Sequence, residues 1–144
     1  MGNITGADVV LTLAIDTIFP IPQQLQGFGV DDVYDVPQIK SVETMMGVDG
    51  VLSAGFVFVA VPQTITLQGD SISNLIFDTW NTQQQAGKTV YRCQGLIRLP
   101  GIATKFTMVN GALTGYKPAP AVKKLIQPRV YEITWESIAP APTA

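Results

Sequence analysis

Carboxylates that stand close together are the residues of this chain best suited to acid–base chemistry. Asp31, Asp32 and Asp35 fall in a turn-like stretch, and Glu132 and Glu136 share one face of a predicted strand. Paired carboxylates hydrolyse glycosides at separations of about 5–9.5 Å, whereas four residues of strand span roughly 13 Å. Asp is also common in turns because its side chain bonds to nearby backbone groups. Both groups are therefore interpreted as solvated surface.

The other residue types that catalysis and metal binding require are missing or out of pattern. The chain has no histidine, which removes the commonest general base and metal ligand. Its serines form neither a G-x-S-x-G elbow nor an S-x-x-K motif, and no EF-hand, G-x-G-x-x-G or P-loop spacing occurs. The single Cys93 lies in an apolar alternating segment, which favours burial. The sequence predicts a protein that is not an enzyme and that binds no cofactor or metal.

Composition points to a surface that is covered by other subunits. Of the 144 residues, 47% are hydrophobic and only 14% are charged, against about 25% charged in an ordinary soluble domain. A domain with so little charge is expected to bury much of its exterior in contacts between subunits. The net charge of -2 and the scattered Lys and Arg residues provide no basic stripe for gripping nucleic acid.

No targeting or membrane segment is predicted. The first five residues lack the basic region and apolar core of a signal peptide. Residues 50–69 carry no charge, but Pro62 and Gln63 interrupt them, and the apolar part at 51–61 is too short to span a bilayer.

The first 29 residues are predicted to form a strand followed by an extended arm. Apolar residues alternate with polar ones over residues 8–16, which indicates a half-buried strand with Val9, Leu11, Leu13 and Ile15 on one face. Residues 19–29 hold two prolines, three glutamines and two glycines, a composition typical of a loop. The arm would expose four side chains that are candidates for contacts between copies: Phe19, Ile21, Leu25 and Phe28.

An Asp-Gly pair predicts a long apolar hairpin. Residues 33–46 look extended, with Pro37 marking an edge or a bulge. Asp49-Gly50 is a tight-turn signal, and the return strand over residues 51–61 is apolar on both faces. We expect the core to cover one of these faces and another structure to cover the other. The hairpin adds five candidates for contacts between copies: Met46, Val48, Val51, Leu52 and Phe56.

One helix is predicted over residues 71–86, directly after an alternating strand at 63–68. Asp70 or Ser71 is placed to cap its N-terminus. Gly87 can end it, with Lys88 beyond to favour the negative end of the helix dipole. The apolar stripe predicted to pack on the sheet consists of Ile72, Leu75, Ile76 and Trp80.

The remaining patterns predict further strands and complete the fold class. Alternation indicates strands over residues 89–99, 102–109 and 129–136, with Pro100-Gly101 as a turn, and Asn110-Gly111 predicts another two-residue hairpin. Residues 139–144 are predicted to be an extended, frayed tail. The predicted fold is mainly β, an antiparallel sandwich or barrel with one helix packed on it, in a single domain over residues 1–144.

The order of these features carries a resemblance. The apolar hairpin leads into residues 64–68 (TITLQ), a helix opens directly afterwards at residues 70–76 (DSISNLI), and the alternating residues 131–136 (YEITWE) come near the end. This order resembles the tail tube proteins of long-tailed, especially contractile-tailed, bacteriophages, over roughly residues 40–138. The resemblance implies a β-sandwich that closes into hexameric rings, with the hairpin and the N-terminal arm reaching neighbouring rings. Type VI secretion tube rings share that fold.

The resemblance implies a structural virion protein whose stacked rings form the tail tube, the conduit for genome ejection. Its partners would be further copies together with sheath, tape-measure and baseplate proteins, and it would be assembled in the host bacterial cytoplasm without membrane contact. Double-stranded DNA would pass through without specific binding, which a mildly acidic wall suits. Polar strand faces that could line the lumen are Thr64, Thr66 and Gln68, Lys105 and Thr107, or Glu132, Thr134 and Glu136.

Three other functions remain open at this point. A baseplate tube-initiator or a tail-terminator ring of the same fold would differ from a tube in its abundance per particle. A carbohydrate-binding sandwich would need exposed aromatic residues on a binding face, whereas Trp80 and Trp135 fall on predicted apolar faces. An enzyme of unknown type is the least supported, since no catalytic motif occurs.

Overall fold

The computed structural model describes residues 9–26, 28, 33–99, 103–117, 119 and 122–142. The predicted turn at Pro100-Gly101 and the first eight residues lie outside these ranges. Within them the chain forms one helix, α1, and strands β1 to β10, in the order β1 Val10–Ile15, β2 Phe19–Gln24, β3 Tyr34–Asp35, β4 Val42–Met46, β5 Leu52–Phe56, β6 Val61–Leu67, α1 Asn74–Gly87, β7 Cys93–Leu99, β8 Thr104–Gly115, β9 Arg129–Trp135 and β10 Ser137–Pro142.

The strands form one large antiparallel sheet and a separate hairpin. The large sheet runs in the order β2-β1-β7-β8-β9-β6-β3, with β10 also paired to β8, and β4 pairs only with β5. β8 is long enough to serve two halves of the sheet: residues 104–111 pair with β7, and residues 112–115 pair with β9. The predicted fold class, an antiparallel β-sandwich with one helix, is confirmed.

A β-bulge bends β8 where a hairpin turn was predicted. Asn110 and Gly111 lie inside β8, so that prediction is wrong. Asn110 has a φ of 52°, its N–H donates to Gln94 Oε1 at 3.3 Å, and the β7–β8 register shifts opposite it. Asn tolerates the left-handed conformation in a bulge as well as in a turn. Gly111 is needed because a Cβ there would lie 2.5 Å from the Trp135 ring.

The two halves of the sheet pack their inner faces on one core. A Cβ added to Gly95 would lie 2.9 Å from Trp135 and 3.2 Å from Leu13, so side chains of β9 and β1 meet over β7. Cys93 is buried as predicted, and burial, with a smaller contribution from Asp16, raises the pKa of its thiol to about 12. The inward residues of the strands follow the predicted alternation: Leu11, Leu13, Ile15, Ile65, Leu67, Ile97, Met108, Tyr131, Ile133 and Trp135.

The helix buries only part of the predicted face: Trp80 is fully buried as predicted, and Ile76 is half-buried against the core. Ile72 and Leu75 were predicted in the same stripe but are 74% and 67% exposed, whereas Phe77, outside the predicted stripe, is fully buried. Phe77 stacks on Tyr131 with ring centroids 4.1 Å apart. The aromatic side chains occupy the buried face of the helix because a large flat ring stacked on Tyr131 buries more apolar area than an aliphatic side chain does.

The helix also begins and ends differently from the prediction. Its N-cap is Ser73 rather than Asp70 or Ser71, because a hydrogen-bonded turn, from Asn74 N–H to the Ser71 carbonyl at 3.2 Å, precedes it. The Ser73 hydroxyl makes no capping bond to the helix; it accepts a hydrogen bond from the Gln26 N–H at 2.7 Å. At the other end Gly87 is the last helical residue, and Lys88 takes the left-handed cap conformation with φ 49°.

Two segments predicted to be an arm and a frayed tail are paired strands. Residues 19–24 form β2, antiparallel to β1, and residues 137–142 form β10, antiparallel to the first half of β8. Both strands lie at an edge of the sheet and each contains two prolines, which edge positions tolerate because one side of the backbone needs no ladder bond. Local composition suggested loops, but a neighbouring strand supplied the pairing.

Candidate subunit interface

The β4–β5 hairpin projects from the sandwich, and the described part of the chain buries neither of its two faces. Its turn is closed as predicted at Asp49-Gly50, where Gly50 has a φ of 84° and Gly47 N–H donates to the Val51 carbonyl at 2.9 Å. Every residue of both strands is exposed, so the expectation that the core covers one face is wrong. The first core residue after the hairpin is Val61, beyond the end of β5.

The strand register sorts the hairpin into two unequal faces. Val42 pairs with Phe56 and Met46 pairs with Leu52, which places four large apolar side chains on one face, called here the hairpin face. The opposite face holds Glu43, Met45, Ser53 and Gly55. The register therefore predicts that one face of the hairpin, rather than both, binds a partner.

An apolar groove lies at the base of the hairpin, where the sandwich is open. Its volume is about 640 Å³ and its apolar lining comes from the 34–41 segment, the end of the hairpin and the sheet beneath. Phe56 and Phe58 meet edge to face there with centroids 5.0 Å apart, and Glu136 adds a carboxylate. Its large apolar lining residues include Val36, Ile39, Phe56, Phe58, Phe106 and Ile138.

The four arm residues predicted to contact other copies differ in how exposed they are. Ile21 is 73% exposed, but Leu25 is 2% exposed and belongs to the core, so its predicted exposure is wrong. Phe19 and Phe28 are partly buried against the same core. These residues pack inward because β2 lies on β1 and Phe28 bridges to Leu67 in β6. The five hairpin candidates, Met46, Val48, Val51, Leu52 and Phe56, are all exposed.

A second exposed apolar surface, unforeseen from the sequence, lies at the opposite end of β6 and β9. The 122–126 loop is a tight structure in which Val122 bridges to Ile126 and Lys123 N–H donates to the Leu125 carbonyl at 3.1 Å. Leu125 at its tip is 76% exposed. Loops of this kind carry no periodic pattern, so only their placement shows that they present apolar side chains.

The 122–126 loop rests on the turn before the helix through a glycine. A Cβ on Gly69 would clash with Ile126 and lie 2.8 Å from the Gln127 carbonyl oxygen. We expect Gly69→Ala to displace the loop and to lower the free energy of unfolding by roughly 1–3 kcal/mol, measured by urea denaturation. Gly55→Ala is the matched control because a Cβ there meets nothing within 4 Å. Equal losses in both variants would contradict this packing.

The residues predicted to line a lumen lie on two opposite outer faces. Thr64 and Thr66 alternate with buried residues of β6 and share their face with Glu132 and Thr134 of β9. Thr114 joins this polar face through its hydroxyl, 2.9 Å from that of Thr134. Gln68 follows the end of β6, and its carbonyl accepts from Asn74 Nδ2 at 2.9 Å.

The other candidates, Lys105 and Thr107, lie on the outer face of the β7–β8 half. They stand opposite Arg98 and Leu96 of β7 and point away from the core to which the neighbouring Met108 contributes. A single lumen wall formed by one sheet face therefore cannot include both sets. Their lumen role stays a prediction.

An ion pair between a buried arginine and a partly exposed aspartate connects the helix to the sheet. Arg129 NH2 lies 2.8 Å from Asp78 Oδ1 and also donates to the Lys117 carbonyl at 2.8 Å. Tyr116 donates its hydroxyl hydrogen to the same carboxylate. Burial alone would raise the pKa of Asp78, but the hydrogen bonds from Arg129 and Tyr116 outweigh it and lower that pKa. Sequence reasoning missed this cluster because Arg129 was taken only as the boundary of a strand.

Metal-ligand groups, aromatic platforms and membrane-spanning helices are the other features that could form a site. No group of three or more Asp, Glu, Cys or His residues among them is placed to bind a metal ion. Trp80 and Trp135 are fully buried, so neither offers a platform for a sugar ring. No helix in the described ranges is long and apolar enough to cross a membrane. The exposed apolar surfaces are the features that call for a partner.

The sequence matches a known family over almost its whole length. The family described as "Tail fiber protein gp32" matches residues 2–139. The chain belongs to this family. No curated protein shows significant similarity to the sequence.

The fold of this gp32 family member is shared with parts of contractile injection systems. A chain of the baseplate of the anti-feeding prophage matches with a TM-score of 0.60 and 12% identity, covering 99% of this chain and 97% of that one. A chain of the cap that terminates the tube of the same prophage matches with a TM-score of 0.70 and 14% identity, over 99% and 93% of the two chains.

A third likeness is to the sheath–tube complex of an extracellular contractile injection system, PVC, in its extended state. The TM-score is 0.64 at 12% identity, with 98% of this chain and 93% of that chain covered. At such identities the likeness shows a shared fold. Together with the family, it confirms the resemblance to tail-tube-like proteins that the order of sequence features indicated.

Proposed function

We propose that this protein is a structural subunit of a phage-like tail, in which copies form hexameric rings that stack into the tail tube. The observation that carries the proposal is the β4–β5 hairpin, whose strand residues are all exposed although one face is an apolar ladder. A two-stranded ribbon by itself is marginally stable at best in water, and association would remove its apolar area from solvent.

The tube would conduct double-stranded DNA during genome ejection and would sit in the virion tail after assembly in the host cytoplasm. Sheath, tape-measure and baseplate proteins are the proposed neighbours of the rings. The polar face built by β6 and β9 suits a lumen wall, because its threonines and Glu132 offer no cationic grip on phosphate. A single domain over residues 1–144 is part of the same proposal.

A ring that ends the tube is the second candidate. It is favoured by the TM-score of 0.70 to the tube-terminating cap, against 0.64 to the sheath–tube complex. Abundance separates the two, since a terminal ring is present once per particle and a tube ring many times. Quantitative mass spectrometry of purified particles, scaled to a component of known copy number, would decide between them.

The proposal is tested by negative-stain electron microscopy and mass photometry over a concentration series. We expect six-fold rings or hollow tubes from the unmodified protein. Met46→Asp places a charge on the hairpin face and is expected to weaken association at least about tenfold. Met45→Asp is the matched control: the same residue type, 75% exposed against 64% for Met46, on the opposite face of the same strand.

Three outcomes would contradict parts of the proposal. A strictly monomeric protein at high concentration, also in the presence of preformed tail particles, contradicts self-assembly. Rings that form equally well with Met46→Asp exclude the hairpin face as an interface. Equal losses from Met45→Asp and Met46→Asp would mean that both faces of the hairpin are covered.

A further inference from the structure

Two exposed apolar surfaces stand at opposite ends of the sandwich. The groove and the hairpin lie where β6 begins, at Val61, and the 122–126 loop and the turn at Gly69 lie where β6 ends, at Leu67. Seven strand residues separate these ends, a distance of roughly 20 Å. The groove is concave and the loop protrudes, so the two surfaces have the shapes of a binding site and of a segment that enters one.

The two surfaces also differ in charge. The 33–60 segment and the groove together carry four carboxylates, Asp35, Glu43, Asp49 and Glu136, against one cation, Lys40. The loop presents Lys123 and Lys124, and neither forms a salt bridge with any other described residue. Asp70 follows Gly69, the glycine against which Ile126 packs, so the turn beside the loop carries one acid. Opposite charges of this kind orient two surfaces and speed their encounter.

We propose that the 122–126 loop of one copy docks into the groove of a second copy. Leu125 and Ile126 enter the apolar space beside Phe56 and Phe58, and the two lysines face Glu136. The contact is heterologous, because a copy that donates its loop at one end still offers its groove at the other. Repeated contacts of this kind add copies in line along the direction of β6 and β9.

This inference rests on the proposed self-assembly but is narrower than it, since rings could form through other surfaces. It assigns an occupant to the groove and a direction to growth. It also gives a reason why the loop packs closely on Gly69, although the loop contributes little to the core. Its consequences can be separated from those of ring formation.

Site-directed crosslinking tests the contact directly. Leu125→Cys and Phe58→Cys are prepared as separate variants and mixed under mild oxidation, at concentrations at which the unmodified protein associates. Cys93 is buried and does not interfere. We expect a disulfide-linked dimer in the mixture at several times the level found for either variant alone. Val90→Cys, at an exposed aliphatic residue beyond the helix, replaces Leu125→Cys as the control partner.

A charge exchange supplies an independent readout. Lys123→Glu with Lys124→Glu is expected to shorten assemblies and to weaken association at least about tenfold, and adding Glu136→Lys is expected to restore part of that loss. Lys88→Glu, at the far end of the helix from the loop, is the control and should leave assembly unchanged. Circular dichroism would verify that each variant is folded.

The outcomes separate the inference from the proposed function. Rings and tubes that are unaffected by the loop variants, with crosslinking no greater than in the Val90→Cys control, overturn the docking contact and leave the self-assembly proposal standing. Failure of the unmodified protein to associate at all overturns both. A further weakening on addition of Glu136→Lys also overturns the assigned pairing.

Discussion

Trp135→Ala is expected to lower the free energy of unfolding by about 3–5 kcal/mol, a large part of the roughly 5–15 kcal/mol that is typical of a folded domain. The side chain is fully buried and fills the space over two glycines, where an added Cβ would lie 2.9 Å (Gly95) and 2.5 Å (Gly111) from its ring. Its Nε1–H donates to Gln63 Oε1 at 2.9 Å. Truncation therefore opens a large cavity between the halves of the sheet and strips a buried amide of its partner.

Two further variants divide this effect into packing and hydrogen bonding. Trp135→Phe keeps most of the apolar area but removes the N–H, so we expect a loss of roughly 1–3 kcal/mol. Combining it with Gln63→Leu should recover part of that loss, because both polar partners are then gone and Gln63 Nε2 already lacks a partner among the described residues. Val130→Ala, exposed on the same strand, is the control and should change stability by less than about 0.5 kcal/mol.

Urea denaturation of dilute, monomeric protein is the appropriate measurement, because association would add a concentration-dependent term to the apparent stability. A loss below about 1 kcal/mol for Trp135→Ala would contradict the placement of this side chain between the two halves of the sheet. A combined variant less stable than Trp135→Phe alone would show that Gln63 is satisfied by a group other than the indole.

Asp78→Asn is expected to destabilise the protein by roughly 2–4 kcal/mol, because it leaves the Arg129 guanidinium buried without a counter-charge. The Arg129 side chain is 5% exposed and that of Asp78 is 39% exposed, so solvent reduces the loss below that of a fully buried pair. Arg129 Nε already lacks a partner among the described residues. We expect the apolar pair Asp78→Leu with Arg129→Met to be more stable than either single variant, measured by thermal and urea unfolding.

The same pair predicts the direction of a pH dependence. Because the pKa of Asp78 is lowered in the folded protein, the unfolded chain binds the proton more readily. The contribution to stability is present above the unfolded-state pKa of about 3.9 and is lost as pH falls through the lower folded-state pKa. The stability difference between the unmodified protein and Asp78→Asn should therefore shrink in acid. A difference that grows as pH falls would contradict the assignment.

Period-two alternation was sufficient to predict several strands. Leu11, Leu13 and Ile15 are buried in β1, and Tyr131, Ile133 and Trp135 in β9, because a strand with one wet face must alternate. The Asp49-Gly50 turn was also predicted, since few residues adopt a positive φ as readily as Gly50 does. These features depend on neighbours in sequence, which is why the sequence was enough.

The candidate interface was predicted in part. The hairpin residues were predicted from an apolar run with one face expected against the core, whereas all of them are exposed. Their contacts with other copies stay a prediction. Leu25 was misplaced because its environment depends on the pairing of β2 with β1. The 122–126 loop was missed because no periodicity distinguishes an exposed apolar loop from a buried one.

The sequence by itself determined the chemical character of this protein: a β-rich, weakly charged chain without histidine, carrying an apolar hairpin. Only the tertiary structure decided where a strand bends and which face of the helix is buried. Asn110-Gly111 became a bulge because β8 continues between β7 and β9, and the helix turned Phe77 inward because Tyr131 lay opposite. Local propensity allows several such outcomes at nearly equal cost, and distant partners select one by the area they bury and the hydrogen bonds they complete.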